Sequence, residues 1–197
     1  MKRIAILSAL ALCLAALAPA ASAQMEDNKN HGNFGVFFNF TRPENTSTNF
    51  YGVGARLGFN VQRHVVMEGE MAYDFEQNIS TNPLGGIGGT TGRTRVRMLH
   101  GLFGPKIQTT GPVRVFAVLK GGFVNFGVGG PVTAGTINNQ FNNIVDGDTN
   151  GTFYPGGGVE FNLGWLGIRL EAGDEMQFLS GGHTNNLRMT AGPQIRF

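Results

Sequence analysis

Cysteine is nearly absent from this sequence. Its single cysteine, Cys13, lies in the apolar stretch at the amino terminus, so the remainder of the chain has no thiol for a disulfide. Many secreted domains depend on disulfides, which persist in oxidising compartments. A chain exported without them must be held together by backbone pairing and packing.

The chain also lacks an excess of either charge, and charged residues make up only 14% of it. There are 15 basic and 13 acidic residues, and the first 23 positions contain two of the basic ones, Lys2 and Arg3. Without that segment 13 basic residues balance 13 acidic ones. A neutral chain gives no case for nucleic-acid binding, and we predict no nucleic-acid partner.

The first 23 residues have the pattern of a secretory signal. Lys2 and Arg3 precede an apolar run over residues 4–17, and small residues follow it. A membrane anchor is the alternative, but a span needs about 20 apolar residues, and Pro19 interrupts this run. We therefore expect residues 1–23 to be removed as a signal peptide. The expected cleavage site is formed by Ala21, Ala23 and Gln24.

No long apolar run follows residue 23, so any membrane-spanning part of the mature chain must consist of strands. In residues 50–62, FYGVGARLGFNVQ, every second position from Tyr51 to Val61 is apolar. Residues 65–76 repeat this period of two, with charged side chains on the opposite face. Strict alternation over such a length is typical of a strand with one apolar face.

The same alternation predicts eight strands, joined in turn by short connections and by longer loops rich in Gly, Asn, Thr and Pro. An even number of strands with all long loops at one end is typical of a bacterial outer-membrane barrel. The predicted fold class is all-β: an eight-stranded antiparallel up-and-down transmembrane β-barrel over residues 33–197, preceded by a polar segment at 24–32. The predicted strands are 33–42, 50–62, 65–76, 93–107, 113–127, 153–163, 166–176 and 187–197.

Aromatic side chains concentrate at both ends of the predicted strands. Near the long loops lie Phe40, Tyr51, Tyr73, Phe75, Phe123 and Phe153. Near the short turns lie Phe34, Phe59, Phe161, Trp165 and Phe197. Two aromatic belts, one at each bilayer interface, are typical of membrane barrels and have no purpose on the outside of a soluble one.

The chain ends on an alternating stretch, LRMTAGPQIRF, although chain termini are usually frayed and polar. In this stretch, and over residues 33–197, the chain resembles the small eight-stranded, OmpA-like outer-membrane β-barrels. The resemblance implies that Gly192, Ile195 and Phe197 form a signal for the barrel insertion machinery. It also implies residence in the outer membrane of a Gram-negative-type bacterium, with outer-membrane lipids as partners.

The charged residues of the strands are expected inside the barrel. An eight-stranded barrel has an interior just wide enough for its own side chains, and an Arg or Lys facing lipid at the midplane costs about 2–4 kcal/mol. Because unpaired charges inside would also be costly, we expect paired charges that fill the interior. The predicted interior charge network comprises Arg56, Glu68, Glu70, Asp74, Arg95, Arg97, Lys120, Glu160, Arg169, Glu171, Arg188 and Arg196.

The short turns predict specific pairs within this network. The turn after the second strand places Arg56 opposite Glu70, and a two-residue turn after the sixth places Glu160 opposite Arg169. The acidic stripe of the third strand is expected beside the basic stripe of the fourth. Two assignments are open, because the fifth strand is apolar on both faces and His100 falls on the outward face of the fourth. A bulge could shift either register.

Two motifs suggest ligand chemistry but are incomplete. Asp146, Asp148 and Asn150 match the opening of a calcium loop, but Gly157 occupies the position of the closing Glu. The stretch GGIGGTTG, at 85–92, is followed by neither the Lys-Ser/Thr pair nor the helix of a phosphate loop. We predict exposed turns at both places, no metal and no cofactor.

The sequence favours a structural or surface-contact protein that binds a ligand or a surface through its long extracellular loops. A narrow channel for ions or small solutes is the first alternative. Some eight-stranded barrels are lipid A deacylases, with a His and a nearby Ser as base and nucleophile. Here His183, expected in a loop, is followed by Thr184 and lacks the His-x-Ser spacing, so we predict no enzyme. A soluble barrel with an apolar interior is a further alternative.

Overall fold

The computed structural model describes residues 31–44, 48–81, 92–129, 148–179 and 182–197. The predicted signal peptide, its cleavage site and residues 24–30 lie outside the described residues, as do parts of the long loops. The strands are β1 (Gly32–Pro43), β2 (Phe50–Gln62), β3 (Val65–Thr81), β4 (Gly92–Gln108), β5 (Val113–Gly129), β6 (Asp148–Leu163), β7 (Leu166–Leu179) and β8 (Gly182–Arg196). No helix in these ranges is long and apolar enough to cross a membrane.

The eight strands form one closed barrel, which confirms the predicted fold class. Each strand pairs antiparallel with its neighbour in sequence, and β8 pairs with β1. At this seam the amide of Gly32 donates to the carbonyl of Phe197 (2.8 Å), and the amide of Phe197 donates to the carbonyl of Gly32 (3.0 Å). Closure leaves no unpaired sheet edge, which a bilayer interior requires.

Most strands are longer than predicted at the end that carries the long loops, which we call the loop end. The largest extensions are in β3, β6 and β8, which reach Thr81, Asp148 and Gly182. In the extensions of β6 and β8 polar residues occupy both faces, so the alternation that marks the strands stops while backbone pairing continues. Hydrophobic alternation therefore locates the membrane-facing part of a strand, and the strand itself is longer.

The outer face of the barrel is apolar and the inner face is polar. Leu57, Met71 and Leu170 point outward with 40%, 55% and 46% of their surface exposed. Arg56 and Glu171 point inward and are only 4% and 3% exposed. An outer face of this kind fits the hydrocarbon of a bilayer, because a water-exposed apolar surface of this extent is rare.

The registers of two hairpins match the predicted pairs. Arg56 lies opposite Glu70, and Glu160 lies opposite Arg169. A bulge between residues 60 and 62 shifts the register of β2 at its turn end, below the Arg56 pair. In the β6–β7 turn Gly164 has a φ of 70°, a left-handed conformation that glycine adopts without strain.

Candidate functional site

The barrel interior holds a connected set of ion pairs around Glu70. This carboxylate accepts a hydrogen bond from Arg56 Nε (2.8 Å), one from Lys120 Nζ (2.7 Å) and one from Arg188 Nη1 (2.6 Å). These cations come from β2, β5 and β8, so the carboxylate on β3 connects distant parts of the wall. All of these side chains are buried.

A second centre lies between Arg169 and Glu68. The guanidinium of Arg169 donates to both carboxylate oxygens of Glu68, at 2.6 and 3.0 Å, in the bidentate geometry that makes such pairs strong. Arg169 also bonds Glu171 on its own strand and Glu160 across the hairpin (3.1 Å). Lys106 then joins Glu160 at 2.6 Å.

We call the ten residues of these connected pairs the central network. Its cations are Arg56, Lys106, Lys120, Arg169 and Arg188, and its carboxylates are Glu68, Glu70, Glu160, Glu171 and Glu175. Five positive charges thus offset five negative ones. Matched charges reduce the penalty of burial, since an uncompensated ion inside the barrel would be costly.

His100 extends the central network toward the loop end. Its Nδ1 lies 2.8 Å from Glu175 Oε1, and its Nε2 lies 3.1 Å from Asp74 Oδ2. An imidazolium, with a proton on each ring nitrogen, donates to both carboxylates at once. Asp74 also accepts a hydrogen bond from Asn39 Nδ2 (2.6 Å), which ties this group to β1.

Three inward-pointing aromatic rings support the cations. The guanidinium carbon of Arg169 lies 4.0 Å from the ring centre of Phe116, and that of Arg56 lies 4.7 Å from the ring centre of Phe37. Arg188 lies 5.4 Å from the ring of Tyr154. Cation–π attraction at these distances holds the guanidinium planes in place and is strongest where water is excluded.

Above the central network, at the loop end, the interior is apolar along β2, β4 and β5. We call the five buried side chains found there the mouth cluster: Phe50, Val96, Met98, Val124 and Phe126. They lie at the loop ends of β2, β4 and β5, and Val124 pairs with His100 of the network. The mouth cluster therefore covers one part of the polar interior, while across from it the buried side chains of β6 and β8 (Asn150, Thr152 and Asn186) are polar.

The structure corrects the predicted orientation of β4. Arg95 and Arg97 point outward and are exposed, whereas Val96, Met98 and His100 point inward. The prediction was wrong because it assumed that Arg95 and Arg97 would face hydrocarbon, where an outward charge costs free energy. Both lie toward the loop end of β4, outside the hydrocarbon. The acidic stripe of β3 consequently does not face these arginines within the barrel.

The structure places the other predicted network residues as follows. Arg56, Glu68, Glu70, Asp74, Lys120, Glu160, Arg169, Glu171 and Arg188 are buried inside the barrel. Arg196 is half-buried near the turn end of β8. The predicted insertion signal lies in the last strand pair, where Ile195 and Phe197 point outward with 40% and 55% exposure.

Three interior residues, Glu175, Lys106 and His100, were not predicted from the sequence to belong to the network. Glu175 lies on the same face of β7 as Arg169 and Glu171. Extending the alternation of this strand through residue 173 to residue 175 would therefore have found it. Lys106 shares the parity of His100 on β4, a face that the predicted alternation places outward, although the assignment of His100 was left open. The pairing of Lys106 with Glu160 joins β4 to β6, and no hairpin argument predicts such a contact.

The candidate ligand and catalytic motifs lie in or beside strands. Asp148, Asn150 and Gly151 belong to β6, so this half of the calcium motif is strand and not the predicted loop; Asp146 lies outside the described residues. His183 lies in β8, opposite Phe178, and is exposed. Its predicted loop position was wrong because β8 begins at Gly182.

No family model matches the chain, and no curated protein sequence matches it significantly. The solved structure of Neisserial surface protein A is 9% identical with a TM-score of 0.52, covering 87% of this chain and 100% of its own. Ail, the attachment invasion locus protein of Yersinia pestis, is 12% identical with a TM-score of 0.49, covering 85% and 100%. The outer membrane protein OprG from Pseudomonas aeruginosa is 9% identical with a TM-score of 0.49, covering 85% and 97%. At an identity this low, a likeness between structures shows the fold alone. The likeness to Neisserial surface protein A therefore confirms the predicted small-barrel fold.

Proposed function

We propose that this protein is an integral outer-membrane barrel with a non-enzymatic, structural or surface-contact role. Its wall spans the bilayer, its interior is filled, and the connections at its loop end meet the cell's surroundings. The connections after β1, β3 and β5 are the longer ones, whereas β7 and β8 are separated by residues 180 and 181 alone. The observation that carries the proposal is the combination of an apolar outer face with an ion-paired interior. A rigid wall of this kind holds loops in fixed relative positions, and binding residues are commonly found on such loops.

The filled interior argues against a conducting channel. The central network connects β2, β3, β5, β7 and β8 through buried hydrogen bonds, and the mouth cluster packs above it. An ion crossing the barrel would have to break bidentate and multiply shared ion pairs. These pairs hold their partners more firmly than single surface pairs do.

We expect the purified barrel to show no steady openings in a planar lipid bilayer. The test compares the unmodified protein with Arg169→Met, which removes a cation from the network, and with Leu170→Met, its outward-facing neighbour. Silence from the unmodified and Leu170→Met proteins agrees with a filled interior. Steady openings in the unmodified protein, altered by Arg169→Met and not by Leu170→Met, would establish the narrow channel and refute the structural role.

The surface-contact role depends on the orientation of the loops. The strand order places the connections β1–β2, β3–β4, β5–β6 and β7–β8 at one end and both described chain ends at the other. An epitope inserted between residues 130 and 147 should therefore be detected by antibody on intact cells. Detection only after the cells are broken open would show that the loop end faces the cell interior. That result would contradict the surface-contact role.

The terminal aromatic offers a separate test of how the barrel is inserted. Phe197→Ala keeps both backbone hydrogen bonds to Gly32, and its outward ring contributes little packing. We therefore expect this variant to refold in detergent like the unmodified protein, while its amount in the outer membrane of cells falls severalfold. Phe161→Ala, which removes another outward ring near the turn end, is the control. Equal cellular amounts of the two variants would show that the insertion machinery does not read Phe197.

A further inference from the structure

The outer face of the barrel has a groove across β2 to β5. Glycines at 69, 101 and 121 interrupt the rows of large side chains on this face. The register alternates large and small residues from strand to strand: Leu57, Gly69, Phe103 and Gly121 form one row, and Ala55, Met71, Gly101 and Phe123 form the next. The ring of Phe123 lies across Gly101, so the open part of the depression lies over Gly69 and Gly121. It is apolar, has aromatic and aliphatic walls, and lies within the membrane-facing band.

Two outward-pointing arginines lie on β4 above this groove, toward the loop end. Leu99 pairs with Tyr73 of the upper aromatic belt, and Arg97 and Arg95 follow it on the same outward face. The register places Arg97 opposite the bulge at Phe75 and Glu76, at the outer edge of the belt, and Arg95 opposite Asn78, beyond it. Interfacial aromatic rings sit at the level of the lipid headgroups, so we expect the phosphates of the extracellular leaflet at this level.

The guanidinium of Arg97 is positioned by its neighbour on β5. Arg97 pairs with Gly127, and its side chain lies across that glycine so closely that a Cβ there would overlap Nε and lie 2.8 Å from Cγ. Arg95 lies further out, with 64% of its side chain exposed and Nη1 3.9 Å from Glu76 Oε2. An exposed pair of this length contributes little energy and leaves Arg95 able to bind another anion.

We propose that this strip of the outer face is a binding site for a phosphate-bearing lipid of the extracellular leaflet. An acyl chain lies in the groove over Gly69 and Gly121, and the lipid phosphate accepts hydrogen bonds from Arg97 and Arg95. Planar guanidinium groups suit phosphate oxygens, which they bind in bidentate fashion. The groove alone accepts any acyl chain; the arginines above it select the anionic lipid.

This inference rests on the proposed membrane location and is tested apart from it. Barrels refolded in a neutral detergent are mixed with purified lipid A or with phosphatidylcholine, and the retained lipid is measured by native mass spectrometry. Folding of every variant is checked by its gel shift on boiling. A protein that folds and fractionates with the outer membrane but retains no lipid A refutes the site and leaves the location intact.

Three variants separate the parts of the site. Each basic residue near an anionic surface contributes about 1 kcal/mol, or about fivefold in affinity, so Arg97→Ala should reduce lipid A retention about fivefold. Phosphatidylcholine also carries a phosphate, but its choline ammonium cancels the net charge, so its retention should fall less. Gly121→Leu fills the groove, where the nearest described atom would lie 4.0 Å from the added Cβ, and should reduce retention of both lipids. Arg42→Ala, which removes an exposed arginine on β1, is the control. Equal retention by the Arg97 and Arg42 variants would overturn the proposal, as would full retention of lipid A by Gly121→Leu.

Discussion

Replacing Lys120 with methionine is expected to lower the free energy of unfolding by about 3–5 kcal/mol, the usual cost of removing one partner from a buried ion pair. The ammonium of Lys120 is fully buried and lies within 3.5 Å of Glu68, Glu70 and Glu171. Methionine has a similar length and no charge, so the carboxylates lose a counter-ion while packing is largely kept. A urea unfolding curve in detergent micelles, read by the gel shift of the folded barrel, measures the loss.

Two further variants make this result specific. Leu119→Met changes the adjacent outward residue of the same strand and should cost less than about 1.5 kcal/mol, because such exchanges conserve volume. Adding Glu70→Gln to Lys120→Met restores equal numbers of positive and negative charges, so the double variant should be more stable than Lys120→Met alone. If Lys120→Met proved as stable as Leu119→Met, the ion pairs of the interior would not contribute as argued.

Gly192→Val is expected to obstruct closure of the barrel. A Cβ at Gly192 would overlap the carbonyl oxygen of Val36 and lie 2.6 Å from the Cα of Phe37, both on β1. These are backbone atoms, which cannot turn aside as the end of a side chain can. Overpacking of this kind costs up to about 3 kcal/mol, and here it acts at the pair of strands that closes the sheet. The fraction of protein reaching the compact gel form after refolding should fall strongly.

The control for Gly192→Val is Gly121→Val. Gly121 lies on the outer face, and the nearest described atom to its Cβ position is the carbonyl oxygen of Thr152 at 4.0 Å. The same added side chain should therefore be tolerated there. Equal refolding of the two variants would mean that β8 and β1 can separate enough to admit a side chain at the seam.

The parity of most strands could be predicted because lipid penalises charge. On β2, β3 and β7 the residues Arg56, Glu70 and Arg169 alternate with apolar neighbours, and only one face can meet hydrocarbon. On β4 the same reasoning failed, since Arg97 lies at the outer edge of the aromatic belt and Arg95 lies beyond it. An outward charge at an interface meets headgroups and water. The rule applies only within the hydrocarbon, and the sequence does not mark where that region ends.

The contacts of the interior could be predicted only between strands that share a turn. The Arg56–Glu70 and Glu160–Arg169 pairs follow from hairpin register, because counting from a short turn fixes which residues face each other. The bond from Arg188 to Glu70 crosses the barrel and depends on its diameter and on side-chain length. Such contacts follow from the closed shape and not from any local pattern.

The bond from Arg188 on β8 to Glu70 on β3, and that from Arg188 Nε to Asn39 on β1, have a consequence for assembly. A sheet that has not yet joined its first and last strands leaves Arg188 with Glu175 on the neighbouring strand β7 and without its partners on β1 and β3. Its incompletely paired guanidinium would then be exposed to lipid in a bilayer. Neutralisation of the interior and joining of the sheet must then occur as one event. We expect half-inserted forms to be scarcely populated, and maturation of this protein to behave as an all-or-none transition.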